Sequence, residues 1–411
     1  MSSMKKPRGI RHDRHCHRCH AKGLKCDLNR PRCQLCQQQG TTCSYPQRVV
    51  WMGPKKESPR KTSSCAGPSS SSLATADVEP DTTELQSKNI PINLYGFIDL
   101  LSHFYREIQA IEQELPAEAV KLISRTLNFA RSRLRGSDNK QSIQTHLGAL
   151  TNLSKVIESG HPIALFGIAT FAIFEVCCGS FGRWHRHLQG ARSLLDLHCQ
   201  NEAQLDQLAA RIPGLGDILA YLVWFDVTGA LVRKSSLIFD DWHRRILEPS
   251  FFDSVGCPAD TFDLFVHLAN QDVNIDVLDL SARAMDQIIN MDSGDQTESG
   301  LATVVFRCTG AIGAFSLAGS KQDEASSAHA GILSKMTDRV CDAISKIPIS
   351  SRFYVHLATP AYLTGMHATN AEQCESLRAY WRNCQQCDFP RYPDAQEQCE
   401  RRWRSQMICS Q

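Results

Sequence analysis

Six cysteines, Cys16, Cys19, Cys26, Cys33, Cys36 and Cys43, crowd into residues 15–47. They read C-x2-C-x6-C, and after six further residues the same pattern repeats. Each C-x-x-C pair brings two thiolates within reach of one soft cation, and zinc takes four such ligands in a tetrahedron. One zinc would leave two thiols over. Two zincs call for eight bonds, which six sulfurs supply only if two of them bridge. The repeat nominates one cysteine from each half, most simply Cys16 and Cys33. Two Zn2+ against six thiolates leave a cluster charge of −2, which neighbouring Lys and Arg offset.

Burial cannot hold this segment. Leu24, Leu28, Leu35 and Tyr45 are nearly all its apolar side chains. Metal binding would then supply most of the folding free energy, on the order of 10 kcal/mol or more at small structural sites. A disulfide scaffold is the competing account and requires an oxidising compartment. Residues 1–15 are charged and carry no apolar segment of the kind that directs secretion.

The segment resembles the fungal binuclear zinc cluster family of transcription factors. All six cysteine positions match, as do Asp27 directly after Cys26 and Pro31 two residues before Cys33. In that family the first helix enters the DNA major groove and reads a CGG-type triplet, and the first and fourth cysteines bridge two Zn2+. The resemblance implies Cys16, Cys19, Cys26, Cys33, Cys36 and Cys43 as metal ligands. Lys22 and Lys25 fall on basic positions of the recognition segment, and Arg18, Arg30 and Arg32 are phosphate candidates. His20 stands where the family usually has Arg and is a further candidate DNA contact. Gly23 stands where many members have a base-contacting Lys.

The elements that must position this chemistry follow from composition. The chain has 411 residues, 42% of them hydrophobic, and a net charge of +2. That near-neutrality hides a split. Residues 1–64 hold fifteen Lys/Arg against three Asp/Glu, whereas the remainder holds thirty against forty. A basic head on an acidic body fits nucleic-acid contact at one end only. Residues 1–14 form a basic arm, 15–47 the cluster, and 48–90 a linker that is first basic and then Ser/Pro-rich. Only Val78 and Leu85 fall at heptad spacing in the linker, too few for a coiled coil.

Residues 91–411 read as helical. Apolar stripes at helical period recur over 96–115, 116–130, 142–158, 183–198, 259–269, 273–289, 301–318, 328–347 and 371–387. Two runs, 163–178 and 214–232, are apolar throughout. Acidic residues interrupt them, and they read as buried helices rather than membrane spans. The body resembles the all-helical regulatory domain that follows the cluster in many fungal zinc-cluster regulators, through WHRHLQGARSLL (184–195), LAYLVWFDVTGAL (219–231) and ATPAYLTGMHA (358–368). The fold class expected is a small zinc-stabilised binuclear cluster domain plus a mainly α-helical C-terminal domain.

Three other constellations read as packing. Cys384-x-x-Cys387 has no partner pair at zinc spacing and lies on a stripe with Cys374, Leu377 and Trp381. Gly310 and Gly313 do not meet the dinucleotide fingerprint G-x-G-x-x-G, and no βαβ alternation surrounds them. His185 and His187, one residue apart, point to different helix faces, so with His198 they read as a structural segment with exposed His beside a buried Trp184. No nucleophile elbow, phosphate loop or paired carboxylates stand out, and an enzyme is not expected.

The function expected is a nuclear, sequence-specific DNA-binding regulator of RNA polymerase II genes, controlling a metabolic or biosynthetic pathway. Its partners would be double-stranded DNA and, through the helical body, a second copy or another regulator; no membrane is expected. The reading from another class is a redox-responsive or protein-docking co-regulator whose cluster has no DNA sequence preference of its own.

Overall fold

The computed structural model describes residues 18–19, 22, 24, 26–27, 33–39, 41, 43, 115–134, 140–270, 276–291, 294–321, 327–386 and 391–406. The chain divides into two units, Met1–Pro80 and Asp81–Gln411. The expected helix over 96–115, apart from Leu115, and the heptad positions Val78 and Leu85 lie outside the described residues, as does Cys387.

In the N-terminal unit Arg18 and Cys19 are helical, and α1 spans Gln34–Gln38. The C-terminal unit is built from helices, with no strand among its described residues. In chain order they are α2 (Ala117–Leu134), α3 (Lys140–Glu158), α4 (Ala164–Cys178), α5 (His185–Leu195), α6 (Glu202–Arg211), α7 (Leu215–Arg233) and α8 (Asp241–Arg244). They continue with α9 (Pro249–Val255), α10 (Ala259–Ala269), α11 (Val277–Ile289), α12 (Glu298–Lys321) and α13 (Ser327–Lys346). After a 3-10 turn at Tyr354–Leu357 come α14 (Ala358–Gly365), α15 (Ala371–Gln385) and α16 (Pro393–Ser405).

The two apolar runs become the central helices α4 and α7, buried on nearly every face. Helices α2, α3 and α5 pack on α4, and α5, α6, α10 and α14 pack on α7. A helix apolar all round must be enclosed, and this one-core arrangement encloses both. Helices α7 and α12 are long and apolar enough to cross a membrane, yet each is 67% buried within the body.

The expected inward residues of α5 and its flank, Trp184, Leu188, Ala191, Leu194 and Leu195, are all buried. On α3 the buried face differs from the expected stripe. Of the expected Ile143, Leu147, Leu150, Leu153 and Ile157, Leu153 is buried and Leu150 and Ile157 pack half-buried on the core, but Ile143 and Leu147 are exposed, while Ser142, Ala149, Asn152 and Val156 are buried. The seam sits one residue earlier than the line of large aliphatics. Small side chains, Ser142 and Ala149, occupy part of it.

The C-terminal helices belong to the same core. Trp381, Trp403, Tyr380 and Tyr392 are fully buried, and the polar tips of the last three reach main-chain carbonyls. Trp403 Nε1 donates to Gly365 O at 2.7 Å, Tyr380 Oη to Tyr354 O at 3.0 Å and Tyr392 Oη to Val355 O at 2.9 Å. The amide of Tyr392 donates to Cys177 O at 2.7 Å and that of Phe181 to Asp394 Oδ2 at 2.7 Å. These bonds tie α16 to the end of α4.

Gly229 of α7 lets the Trp184 indole lie against its backbone. An added Cβ would come within 2.7 Å of Trp184 Nε1 and 2.6 Å of Arg233 Nη1. Both groups are held, the indole by Phe225 O at 2.8 Å and the guanidinium by Gly182 O at 2.8 Å. Gly190 of α5 would meet nothing within 4 Å. Gly190→Ala is expected to stabilise the body by about 1 kcal/mol through helix propensity. Gly229→Ala is expected to destabilise it by roughly 1–3 kcal/mol through overpacking. Thermal unfolding followed by helical circular dichroism reads both signs.

Asp226, 1% exposed on α7, accepts from the amides of Ile238 and Phe239 at 2.8 and 2.9 Å. Burial raises its carboxyl from 3.8 to about 6, against the lowering by these amides and by Arg233 and Arg244. Between those two values the folded chain retains a proton that the unfolded chain releases, so stability falls as pH rises through that window. Asp226→Asn keeps an acceptor for the amides. Relative to the parent chain it should gain Tm progressively as pH rises from about 4 to 6 and keep that gain at pH 7.

Candidate metal centre

The cysteine segment folds as two copies of one backbone motif. In the first half the amide of Lys22 donates to Arg18 O at 3.1 Å and that of Leu24 to Cys19 O at 2.8 Å. Seventeen residues on, the amide of Gln39 donates to Leu35 O at 3.2 Å and that of Thr41 to Cys36 O at 3.0 Å. The repeat in sequence is therefore a repeat in hydrogen bonds. Each half makes one tight turn after its C-x-x-C and so aims its cysteines inward.

Asp27 joins the halves. The Gln34 amide, at the start of α1, donates to Asp27 Oδ1 and Oδ2 at 3.2 and 3.1 Å. Cys33, at the N-cap position, makes no side-chain cap of its own. The Asp27 carboxylate serves an orphan helix amide that a local cap would otherwise satisfy.

Cys19, Cys26, Cys33 and Cys36 are buried and Cys43 is half-buried. The sulfurs of Cys19, Cys26 and Cys33 all lie within 4.8 Å of one another, and so do those of Cys33, Cys36 and Cys43. Cys33 belongs to both sets. Its Sγ stands 3.8 Å from that of Cys19. A disulfide would hold them at about 2.05 Å, whereas the edge of a tetrahedron with Zn–S arms of about 2.3 Å is about 3.8 Å. The thiols fit ligation of a metal. Leu24 and Leu35 pack against this sulfur core.

Donors surround the sulfurs. The Cys33 amide points to Cys43 Sγ at 3.4 Å. Arg18 sends Nη1 to Cys36 Sγ at 3.7 Å and Nη2 to Gln39 Oε1 at 2.7 Å. Arg18 thus crosses from the first half to the second and sets a positive charge beside a sulfur. Lys22 is exposed. Cys16, His20, Lys25, Arg30 and Arg32 lie outside the described residues. Spacing did not foretell the cap by Asp27 or the engagement of Arg18. The Cys26-Asp27 dipeptide was the available signal for the first, and nothing in the sequence marked the second.

The cysteines of the helical body pack as small apolar side chains. Cys374, Leu377, Trp381 and Cys384 are each fully buried along α15. Burial pushes the thiols of Cys177 and Cys341 up to about 12 and that of Cys308 up to about 11, which keeps them protonated and unreactive. Gly310 and Gly313 lie within α12, and added Cβ atoms would meet Leu264 Cδ2 at 3.0 Å and Leu268 Cδ1 at 2.9 Å. Their smallness serves the packing of α12 on α10. His185 and His187 are half-buried rather than exposed, because α5 folds onto the core along Trp184 and Leu188. His198 reaches Gly160 O at 2.6 Å.

A ligand common to two thiol sets should matter more than one in a single set. Cys33→Ala is expected to abolish bound zinc in the purified chain. Cys43→Ala is expected to leave a weakened, partial occupancy. Native mass spectrometry of both variants checks this; equal retention would remove Cys33 from its shared position.

Comparison with known families agrees with this geometry. Residues 14–51 match the fungal Zn(2)-Cys(6) binuclear cluster domain. Residues 96–299 match the fungal specific transcription factor domain. Searches of curated proteins and of solved structures return no match. Both matched domains are those of transcription factors, and the first binds zinc. The inward-facing thiols, the helical body and the two matched domains together make this chain a member of the fungal binuclear zinc cluster family of transcription regulators.

Proposed function

We propose that this chain is a sequence-specific regulator of RNA polymerase II genes that reads CGG-type triplets through a cluster of two Zn2+. In this reading Cys16 and Cys33 bridge the two ions, and Cys19, Cys26, Cys36 and Cys43 complete their shells. The observation that carries it is the membership of Cys33 in both thiol sets, within a backbone motif that repeats at the cysteine interval. Six thiolates can serve two tetrahedral ions only with such sharing.

The DNA contacts follow from charge and exposure. Lys22 carries an outward positive charge, and Lys25 and His20 would join it at the major groove. Arg30 and Arg32 would position the head on phosphates. The Arg18 guanidinium is turned onto Cys36 and Gln39, and its main service is to offset the negative cluster. The arm 1–14 and the basic part of the linker 48–90 would add phosphate contacts, which give affinity and salt dependence without sequence information. The all-α body 91–411 would regulate, alone or through a second copy or another regulator, within the nucleus and for one metabolic or biosynthetic pathway.

The test is a binding-site selection with the full zinc-loaded chain. CGG-type triplets should be enriched, and affinity for the selected site should fall steeply between 50 and 200 mM salt, by roughly 10³-fold if about six phosphates are neutralised. Cys33→Ala should lose enrichment. A chain that holds zinc yet enriches no sequence would leave the protein-docking reading in its place.

A further inference from the structure

The helical body encloses a cavity of about 190 Å³ between the end of α4, the middle of α7, α9, the turn at Tyr354–Leu357 and the start of α16. Its size sets the first bound on what it could take. An apolar cavity of about 150 Å³ accommodates benzene, so this one suits a single substituted ring or a small fused pair.

The wall sets the second bound. Phe181, Tyr221 and Trp224 all face the cavity. These rings are locked by neighbours. Trp224 stacks on Phe262 with centroids 5.7 Å apart and meets Phe306 edge-on at 5.8 Å, while Phe181 meets the Trp184 ring edge-on at 5.4 Å. Rigid aromatic faces favour a flat, unsaturated body over a flexible aliphatic chain.

The polar groups set the third. Among the described residues neither Asp nor Glu lines the cavity, and the ionised side chain on its wall is Arg352. Arg352 is exposed at the mouth, lies over the Phe353 ring at 4.8 Å and reaches the main-chain oxygen of Asp253 at 3.5 Å. No carboxylate pairs with its guanidinium among the described residues. Deeper in, the His356 imidazole packs parallel to the Tyr221 ring at 6.4 Å. Burial, and then the charge of Arg391, push His356 down to about 4, so its ring is neutral at pH 7 and offers one donor and one acceptor. Arg391 is itself fully buried behind this wall. Asp217 and Asp253 are exposed outside the lining. Asp217 acts on Tyr221 from outside the wall, whereas the charge on the lining itself is the Arg352 guanidinium, and a guanidinium fork at the mouth matches a planar carboxylate.

We propose that this cavity is a binding site for a small aromatic monocarboxylate, with the ring held among Phe181, Tyr221 and Trp224 and the carboxylate at Arg352. The site lies where α4, α7 and α16 converge. A ligand there would clamp the C-terminal helices to the central pair and favour one packing of the body. The proposal concerns the body alone and stands apart from the reading of the cluster.

The test uses the full chain and three probes: benzoate, phenol as its neutral counterpart, and hexanoate as an aliphatic acid. Benzoate is expected to raise the Tm of the body saturably at millimolar concentration or below and to quench tryptophan fluorescence. Phenol and hexanoate should each bind at least tenfold more weakly. Arg352→Gln, an exposed change that leaves the core intact, should weaken benzoate at least tenfold and leave phenol unchanged. Ala358→Leu, which fills the cavity from α14, should weaken both ring compounds. Absence of saturable benzoate binding would overturn the proposal. So would benzoate affinity unchanged in Arg352→Gln, or hexanoate binding as tightly as benzoate.

Discussion

A thirty-residue segment with a handful of apolar side chains cannot fold by burial, and the thiol of Cys33 answers that constraint. It lies in two sets of three sulfurs at once, so one atom joins both halves of the repeat. The surrounding bonds serve the same junction. Asp27 of the first half caps the helix of the second, and Arg18 of the first half lies on Cys36 and Gln39 of the second. Remove the ion and these contacts alone face the chain entropy of the whole segment. Single hydrogen bonds worth about 1 kcal/mol each are too few to meet it.

The body rests on the opposite principle. Helices α4 and α7 have no polar face to give to water, so α2, α3, α5, α6, α10 and α14 are recruited to cover them. Several of the polar groups drawn inside are placed on main-chain partners. The indoles of Trp184 and Trp403 and the hydroxyls of Tyr380 and Tyr392 all donate to carbonyls between elements. Such bonds add modest energy but fix which helix meets which. The cysteines here are packing atoms held as thiols, the reverse of their use in the N-terminal unit. The same residue type is a ligand where sulfurs converge and a filler where they are dispersed among aliphatics.

The sequence made the cluster legible because its chemistry is a matter of spacing. Six cysteines at fixed intervals name the metal, and the arithmetic of eight bonds from six sulfurs singled out a bridging pair that included Cys33. Most helices of the body were legible for a related reason, since period alone separates 259–269 or 371–387 from a strand. What spacing could not supply was azimuth and partnership. On α3 the large aliphatics Ile143 and Leu147 drew the expected face one residue away from the true seam at Ser142 and Ala149. The inward turn of Arg18 and the cap by Asp27 join residues 7 to 21 positions apart, and the cavity gathers side chains from five parts of the chain. Tertiary contacts of that reach leave no periodic trace.

Two folding principles in one chain also divide its sensitivities. The N-terminal unit depends on an ion and on thiolates, so chelation, acid and oxidation act on it. The C-terminal unit depends on burial, so what acts on it must enter or reshape its core. Its buried thiols, held protonated, are poor targets for oxidants, and its response to pH comes from buried groups such as Asp226 and His356. The matched regulatory domain ends at residue 299, yet Trp381, Tyr392 and Trp403 beyond it are among the most deeply buried side chains. The described residues beyond it therefore contribute to the same core. A change at the α4–α16 junction is felt by helices on both sides of the domain match.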